Sequence, residues 1–371
     1  MLDDGAGPLL PDYGGACLDG VVPAILGRGG AAPAWLPAPL AQADQVVLLV
    51  LDGLGWEQLQ QRRHLAPTLG AMTGSTITTV APSTTATALT SLTTGTSPAA
   101  HGVVGYRVRV LGTDVLNVLR WRTGRGDDAR TTVPPEHFQA IEPFAGTKPP
   151  VLTRSEFSET GFTQVHLAGA RLLGWRVTST LVATVGAQLR EGAPFVYAYY
   201  DGIDKVAHEF GLGSFYDAEV VAVDRLAADL VAVLPAGAAL AVTSDHGQVD
   251  VGEQVVALHR EVMGLTNLLS GEGRFRWLHA RPGCRDRLAT AARRHHGHQA
   301  WVRTRDEAIE EGWFGGELQP QVESRLGDVV LAAREPVAFL DPADTGAVKL
   351  RSRHGSMTPA EMLVPLLGAT A

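Results

Sequence analysis

Three apolar segments of the chain each end in aspartate, and these aspartates are the first candidates for chemistry. The segments run from 46 to 51, from 195 to 200 and from 238 to 243, and they lead into Asp52, Asp201 with Asp204, and Asp245. Short apolar runs followed by turn residues are typical of strands covered on both faces of a parallel sheet. Ligands of open α/β sheets bind beyond the carboxyl ends of the strands. We therefore expect these carboxylates to share one crevice.

Histidines accompany these carboxylates at close spacing. His208 stands four residues after Asp204, His246 directly follows Asp245, and His354 lies in a segment rich in glycine and serine. Crowded carboxylates remain ionised only when a cation lies among them. Mixed carboxylate and imidazole ligands suit zinc or a similar transition metal, and two-metal sites serve phosphoryl transfer. Taken singly, each motif also has a structural explanation as a turn, a helix cap or a surface histidine.

The segment from Ala81 to Ala88 supplies hydroxyl groups where a helix is expected to begin. The pattern predicts a helix over 84–94, with Gly95 as its C-terminal cap. A helix N-terminus favours anions through its unpaired amides and its dipole. A neighbouring metal would lower the pKa of an alcohol enough to make it a nucleophile. Ser83 or Thr84 is also a natural N-cap, so one hydroxyl can cap the helix while the next faces the metal.

The ordered set of motifs resembles the alkaline phosphatase superfamily, and within it the type I phosphodiesterase/nucleotide pyrophosphatase branch. The matching motifs are Asp52, Pro-Ser-Thr-Thr, Ser-Pro-Ala-Ala-His101-Gly102, Asp204 with His208, Asp245-His246-Gly247 and His354-Gly355. Each motif is weak alone, but they follow the family's order over most of the chain. The resemblance implies an α/β, alkaline-phosphatase-like three-layer fold. It further implies a mostly parallel central sheet and a small inserted α+β cap.

The resemblance also implies roles for particular residues. One zinc ion would be held by Asp52, Asp245, His246 and the nucleophile, and the second by Asp204, His208 and His354. Manganese or iron are the alternative metals. The family's spacing to Thr94-Gly95 assigns the nucleophile to Thr85, with Thr84 one residue away as the alternative.

Tyr106 departs from the family pattern. It occupies the position of an asparagine that donates to a phosphate oxygen in the family. A phenol can donate one hydrogen bond, although its reach and bulk differ. Tyr106 is therefore expected to bind substrate, and the preference for monoesters or diesters stays open.

The implied function is metal-dependent hydrolysis of phosphodiester or nucleotide pyrophosphate bonds through a covalent phospho-threonine intermediate. The substrate would be a small phosphate ester or nucleotide, and the product would retain configuration at phosphorus. The first alternative is a phosphomonoesterase or phosphonate hydrolase on the same scaffold. The second is a non-catalytic binding protein that retains the metal. The complete ligand set favours an enzyme.

Composition excludes several other classes of protein. The 371 residues are 45% hydrophobic and 19% charged, which is typical of a globular protein. A net charge of −8 argues against general nucleic-acid binding. No apolar stretch approaches the roughly 20 residues that cross a bilayer. The acidic start lacks a signal-like pattern, so a cytoplasmic location is expected, with Cys17 and Cys284 as free thiols. The oligomeric state stays open.

The pattern of elements predicts two units. Residues 1–251 and 326–371 are expected to form the metallohydrolase core, and residues 252–325 an inserted α+β cap. Within the core, residues 106–119 alternate like a hairpin, and residues 163–167 and 76–80 are predicted as strands. His295, His296 and His298 follow a predicted helix and are expected to be its solvated end.

Overall fold

The computed structural model describes residues 7–27, 31–110, 112, 114–344 and 349–371. The α-helices are α1 (Val21–Leu26), α2 (Ala38–Gln42), α3 (Trp56–Gln61), α4 (Pro67–Ala71), α5 (Thr85–Thr94), α6 (Pro98–His101), α7 (Pro135–Phe138), α8 (Gly161–His166), α9 (Thr178–Arg190), α10 (Gly202–Phe210), α11 (Ser214–Ala232), α12 (Arg260–Leu265), α13 (Arg285–His296), α14 (Arg305–Glu310), α15 (Pro320–Glu323) and α16 (Pro359–Met362). Short 3₁₀ turns lie at Leu18–Gly20, Arg63–Leu65, Pro143–Gly146 and Ser155–Phe157.

The strands belong to one large sheet and several smaller ones. They are β1 (Gln45–Leu51), β2 (Thr73–Thr78), β3 (Arg107–Val110), β4 (Asp114–Asn117), β5 (Arg122–Thr123), β6 (Pro150–Arg154), β7 (Arg171–Trp175), β8 (Phe195–Tyr200), β9 (Ala238–Thr243), β10 (Val249–Asp250), β11 (Val255–Val256), β12 (Thr266–Glu272), β13 (Phe275–Ala280), β14 (Ala300–Thr304), β15 (Val329–Ala333), β16 (Ala338–Phe339), β17 (Ser352–Arg353) and β18 (Leu363–Thr370).

The large sheet is mostly parallel, as the sequence predicts. Its seven strands run in the order β2-β18-β9-β1-β8-β6-β7. Strand β1 pairs in parallel with β8 on one side and β9 on the other, and β6 pairs in parallel with β7 and β8. Only β18, among the described strands of this sheet, runs antiparallel to its neighbours, β9 and β2.

Helices cover both faces of this sheet, which confirms the three-layer architecture. Val46, Leu48 and Val50 of β1 pack on one face in a hydrophobic core that includes residues of α5. The intervening residues of β1 pack on the opposite face in a second core, with residues of α9 and α11. Because consecutive side chains of a strand point to opposite faces, a strand buried on both sides must be apolar throughout.

A second, antiparallel sheet lies in the later part of the chain, with strand order β12-β13-β15-β14. Residues of α12 and α13 share a hydrophobic core with this sheet. Strand β15, which lies in the segment predicted as main core, pairs with both β13 and β14, so the second sheet extends beyond residue 325. Its Val330 and Ala332 pack in the same hydrophobic core as β1 and α5. The division of the chain into two units stays a prediction.

Two local predictions differ from the structure. Residues 163–167 lie in and just after helix α8, where Thr160 accepts a hydrogen bond from the Thr163 amide as an N-cap. A local cap of this kind outweighs the β-branched residues that suggested a strand. The strand predicted at 76–80 lies at Thr73–Thr78 instead.

Other local predictions are confirmed. The hairpin expected over 106–119 is formed by β3 and β4. Helix α5 ends at Gly95, whose φ of 68° is left-handed and suits glycine. Cys17 and Cys284 are free thiols. In the described part of the chain, no helix has both the length and the apolar character needed to cross a membrane.

Candidate metal centre

The sheet topology brings the three candidate aspartates to one edge. Strand β1 lies between β8 and β9, with Leu51 opposite Tyr200 and Val50 opposite Thr243. Asp52 follows β1, Asp204 lies in the first turn of α10 after β8, and Asp245 follows β9. The parallel strands therefore deliver their acidic residues to the same crevice, as expected.

Asp52, Asp245 and His246 form a buried group of ligand atoms. His246 Nε2 lies 3.4 Å from Asp52 Oδ1 and 3.3 Å from Asp245 Oδ2. In a tetrahedral site with bonds near 2.1 Å, neighbouring ligand atoms are about 3.4 Å apart. The spacing of these three atoms therefore suits a zinc-sized cation.

Asp204, His208 and His354 form a second group. Asp204 Oδ1 lies 3.3 Å from His208 Nε2 and 3.7 Å from His354 Nε2. The imidazole rings of His354 and His246 stack with their centroids 3.5 Å apart, so the two groups are adjacent. The structure thus divides the six residues into the same two sets that the family resemblance implies.

Backbone carbonyls orient all three histidines. The Nδ1 atoms of His208, His246 and His354 lie 2.7, 3.1 and 3.0 Å from the carbonyl oxygens of Ser352, Gly247 and Ser83, respectively. An Nδ1–H group that donates to a carbonyl leaves the lone pair on Nε2. This is the usual arrangement of histidines that bind metals, because the hydrogen bond fixes both tautomer and ring direction.

The carboxylates of the buried group lack the partners that burial normally requires. Asp52 Oδ1 and Asp245 Oδ2 have no hydrogen-bond partner among the described residues. Burial raises the pKa of Asp52, and the charge of Asp245 raises it further; burial likewise raises the pKa of Asp245. Burial also lowers the pKa of His354, followed by the effect of His246. A bound divalent cation would favour ionised carboxylates and neutral imidazole, and it would give the two unpaired carboxylate oxygens a partner. The residues therefore fit a metal site.

Thr85 is the hydroxyl residue that meets these groups. It begins α5, and its Oγ1 lies 3.1 Å from His246 Nε2. Thr84 occupies the N-cap position of this helix, as suggested, but its side chain makes no capping hydrogen bond. Ser83 Oγ donates to the Ser356 carbonyl instead, at 2.6 Å. The first amides of α5 are therefore not used by a capping side chain and can bind an anion.

Two cavities meet at Thr85. The larger cavity, about 700 Å³, contains Tyr106, His208, His354 and several arginines in its wall. The smaller cavity, about 490 Å³, reaches Asp52 and has a mostly apolar wall that includes Phe157 and Phe162. Both cavities are also lined by Asp204 and Lys205.

Several residues near the centre were not identified from sequence. Tyr199 donates to Asp52 Oδ2, and Gln248 Nε2 donates to Asp204 Oδ1 at 2.6 Å. Tyr199 belongs to the apolar run before Asp201. A hydroxyl group in a buried strand needs a polar partner, so the sequence could have suggested that Tyr199 contacts the site. Asn117 donates to Tyr106 Oη at 2.6 Å. Asn117 lies on the strand of the predicted hairpin that pairs with the strand after Tyr106, so the sequence could have suggested that the two side chains are close.

Asp201, the other aspartate after β8, does not join the ligand groups. Its carboxylate pairs with Arg154 Nε at 2.7 Å and with Lys205 Nζ at 2.5 Å. Two cations therefore satisfy Asp201 without a metal.

A third group of metal-type side chains lies beside the second sheet. It consists of His259, Glu261 and His295. His259 Nδ1 accepts the Glu261 amide at 3.2 Å as the cap of α12, and Glu261 pairs with Arg294 and His295. Hydrogen bonds from His295 and then Arg294 lower the pKa of Glu261. Because Glu261 is already paired with Arg294 and His295, we interpret this group as an ion-pair cluster.

Comparison with known proteins identifies the family of this chain. The family model for type I phosphodiesterase / nucleotide pyrophosphatase matches residues 46–357. Murine ectonucleotide pyrophosphatase / phosphodiesterase 5 is similar in structure, with a TM-score of 0.65 and 18% identity over 88% of each chain. An inactive form of that murine protein in complex with AMP gives a TM-score of 0.64 and 17% identity over 87% of each chain.

A second kind of enzyme is also similar. Phosphonoacetate hydrolase from Sinorhizobium meliloti 1021, in complex with phosphonoformate, gives a TM-score of 0.60 and 19% identity, over 88% of this chain and 90% of that chain. No curated protein sequence matches significantly. At such identities the structural likeness shows the fold alone, but the family match spans most of the sequence. The chain therefore belongs to the type I phosphodiesterase/nucleotide pyrophosphatase family, whose members are enzymes that hydrolyse phosphoester bonds.

Proposed function

We propose that this protein hydrolyses phosphodiester or nucleotide pyrophosphate bonds of small molecules, and that Thr85 is its nucleophile. The observation that carries this proposal is the position of Thr85. Its hydroxyl lies 3.1 Å from His246, at the start of a helix and at the junction of two cavities. Phosphoryl transfer requires an activated nucleophile and groups that bind the phosphoryl oxygens. Metal ligands beside the hydroxyl can provide the first, and the amides at the helix start can provide the second.

The ligand residues would hold two divalent cations. Asp52, Asp245 and His246 would hold one together with Thr85, and the second would be held by Asp204, His208 and His354. The mixed carboxylate and imidazole set favours zinc, with manganese or iron as alternatives. When bound, such cations lower the pKa of an alcohol and offset the charge that develops on phosphoryl oxygens.

The residues of the chain would then perform a two-step displacement. Thr85 Oγ1 attacks phosphorus, and one ester or phosphate group departs from the opposite side and takes up the proton that the hydroxyl loses. The phospho-threonine intermediate still carries the second substituent of the substrate on phosphorus. Amides in the first turn of α5 bind one phosphoryl oxygen through their N–H groups. Water then hydrolyses the phospho-threonine and restores the free hydroxyl of Thr85.

The two cavities support a diester or pyrophosphate substrate over a monoester. Such a substrate carries a group on each side of phosphorus, and Thr85 lies in the walls of two cavities that could each receive one group. The mostly apolar wall of the smaller cavity suits an aromatic or apolar group. The murine relative that binds AMP supports a nucleotide as one such substrate.

A phosphonate hydrolase is the second candidate. Arg120, Arg122 and Arg125 line the larger cavity, where they would attract a substrate with an additional acidic group. The similarity to phosphonoacetate hydrolase is compatible with this reading.

Turnover of a substrate panel tests the proposal. The zinc-loaded protein should hydrolyse bis-p-nitrophenyl phosphate or a nucleotide pyrophosphate faster than p-nitrophenyl phosphate or phosphonoacetate. Thr85→Ala should lower kcat/KM by at least ~10³-fold, because the covalent route is lost. Thr84→Ala is the matched control, which should retain most of the activity. Acid quenching during turnover should trap the substituted phosphoryl group, p-nitrophenyl phosphoryl for the diester, on the peptide that contains Thr85.

The alternatives give different results. Faster turnover of the monoester or the phosphonate would replace the diesterase assignment with the corresponding alternative. If Thr84→Ala loses most of its kcat/KM while Thr85→Ala remains active, the nucleophile is Thr84 and not Thr85. Zinc binding without turnover of any phosphoester would favour the non-catalytic binding protein.

A further inference from the structure

The start of helix α5 lacks the side-chain cap that its sequence offers. Thr84 is at the N-cap position with φ −128° and ψ 144°, a backbone conformation in which a threonine hydroxyl usually accepts an amide of the first turn. Thr84 makes no such hydrogen bond. The first hydrogen bond of the helix runs from the Ala88 amide to the Thr84 carbonyl, at 2.9 Å. The amides of Thr85, Ala86 and Thr87 precede it and are left for another acceptor.

Glu272, the last residue of β12, provides the Thr84 hydroxyl with a different partner. Its carboxyl accepts a hydrogen bond from the Thr84 side chain. Glu272 is only 9% exposed, and it lines the larger cavity together with Thr84 and Thr85. Its Oε1 atom has no partner among the described residues. Thr84 therefore does not compete with a second side chain for this carboxyl.

The loop that carries His354 fixes the position of both groups. Glu272 packs on Gly355, where an added Cβ would lie 2.7 Å from Glu272 Cδ. Ser83 Oγ accepts the Gly355 amide at 3.2 Å, and the Ser83 amide donates to the Gly355 carbonyl, also at 3.2 Å. The second sheet and the segment before α5 therefore meet at Gly355, and Thr84 and Glu272 lie beside this junction.

The charge state of Glu272 is compatible with an anion at this helix start. Burial raises the pKa of the Glu272 carboxyl to about 8, while the hydrogen bond from Thr84 and the charge of Arg276 act in the opposite direction. The charges of Glu361 and Asp344 raise the pKa further. The carboxyl is therefore mostly protonated at pH 7, and its carbonyl oxygen still accepts the Thr84 hydrogen bond. It holds the hydroxyl without placing a full negative charge beside the phosphoryl group.

We propose that Glu272 is a positioning residue that keeps the start of α5 uncapped, so that the amides of the first turn bind a phosphoryl oxygen of the substrate. This inference rests on the proposed function, which assigns the phosphoryl group to Thr85. Without the carboxyl, the Thr84 hydroxyl is free to cap the helix. A capped helix would have to give up that hydrogen bond whenever the phosphoryl group binds, whereas free amides need no rearrangement.

Removal of the carboxyl and of the hydroxyl, singly and together, tests this role. Glu272→Met frees Thr84 to cap α5 and should lower kcat/KM for bis-p-nitrophenyl phosphate by about 5- to 30-fold, which is the range of an N-cap hydrogen bond. Thr84→Val cannot cap the helix and should retain most of the wild-type activity. The double variant Glu272→Met/Thr84→Val should return to the level of Thr84→Val, because no hydroxyl remains to occupy the amides.

This rescue separates positioning from a merely structural role. General damage caused by Glu272→Met would persist in the double variant, so a lack of rescue overturns the inference. Glu272→Gln keeps an acceptor for the Thr84 hydroxyl and should retain most of the activity. A loss in Glu272→Gln as large as that in Glu272→Met overturns the inference, as does an unchanged kcat/KM in Glu272→Met. If Glu272→Met does not fold, Glu272→Ala takes its place in the same comparison.

Phosphate binding provides a measurement that does not depend on turnover. In zinc-loaded Thr85→Ala, adding Glu272→Met should weaken the binding of inorganic phosphate by the same factor, and adding Thr84→Val as well should restore it. Phosphate binding that is undetectable in Thr85→Ala, or unchanged by Glu272→Met, overturns the inference. If the wild type hydrolyses no phosphoester, the proposed function fails, and this binding measurement still decides the role of Glu272.

Discussion

At the scale of single residues, burial decides which groups carry charge. Asp52 and Asp245 are buried carboxyls, and one oxygen of each has no hydrogen-bond partner in the described part of the chain, which is costly unless a cation binds there. His101 is the opposite case. It is buried, lies 2.8 Å from Ser91 Oγ through Nε2, and accepts the Val103 amide at 3.0 Å through Nδ1. Both ring nitrogens of His101 therefore have hydrogen-bond partners while the ring is neutral.

His101 should make the protein sensitive to acid. Burial lowers the pKa of His101 from 6.5 to about 3, so the unfolded state binds more protons between these values. The stability from this group is present above pH 6.5 and is lost as the pH falls towards 3. Between pH 7 and pH 5 the loss should be about 2 kcal/mol.

Urea unfolding at several pH values checks this prediction. The dependence of the unfolding free energy on pH should become shallower in His101→Gln, whatever the stability of that variant at pH 7. His64→Gln replaces an exposed histidine and should keep the wild-type slope. An unchanged slope in His101→Gln would contradict the prediction.

At the scale of elements, a buried ion pair joins the second sheet to the end of the chain. Arg274, just before β13, donates to both carboxylate oxygens of Glu361 in α16, at 2.7 and 2.8 Å. Both side chains are fully buried. Glu361 Oε1 also accepts the Ser356 amide at 2.9 Å, close to His354. This pair thus supports the loop that delivers the last candidate ligand.

Breaking this pair should be costly. Arg274→Met or Glu361→Gln leaves its partner buried without a counter-charge, so unfolding free energy should fall by about 3–5 kcal/mol. Arg293→Met is the matched control, because the Arg293–Glu307 pair is 46% and 40% exposed and its loss should cost less than about 1 kcal/mol. Denaturant unfolding measures the unfolding free energy of each variant. A loss in Arg274→Met or Glu361→Gln no larger than that in Arg293→Met would be inconsistent with this assignment.

At the scale of the whole molecule, the candidate metal centre depends on distant parts of the chain. Its ligands follow three adjacent strands of the main sheet and a late loop near β17. Binding of a cation there should therefore stabilise the folded protein as a whole. The cytoplasmic location stays a prediction.

Zinc should raise the thermal stability of the metal-free protein through these ligands. At a free concentration 100 times Kd, one bound ion stabilises the folded state by about 2.7 kcal/mol. Asp52→Asn should reduce the increase in Tm, because it removes one anionic ligand. Glu261→Gln alters the ion-pair cluster and should leave the increase unchanged. Equal zinc effects in the wild type and Asp52→Asn would place the binding elsewhere.

The sequence by itself determined several elements of the fold and the position of the candidate site. Apolar runs before Asp52, Asp204 and Asp245 predicted buried parallel strands, and their order along the chain implied one crevice. The helix over 84–94 and its end at Gly95 were also predicted, to within one residue at its start, because caps and breakers act within a few residues. Helix α8 was missed for the same reason, since its Thr160 cap was not recognised.

Only the tertiary structure decided which distant groups meet. The placement of β15 in the second sheet depends on pairing with β13 and β14, which no local pattern specifies. The adjacency of His246 and His354, and the direction of the Tyr106–Asn117 hydrogen bond, likewise arise from packing. Residue types and their spacing indicate which chemistry a side chain can perform. Contacts of a few ångströms between residues that are distant in sequence form only when the sheet assembles.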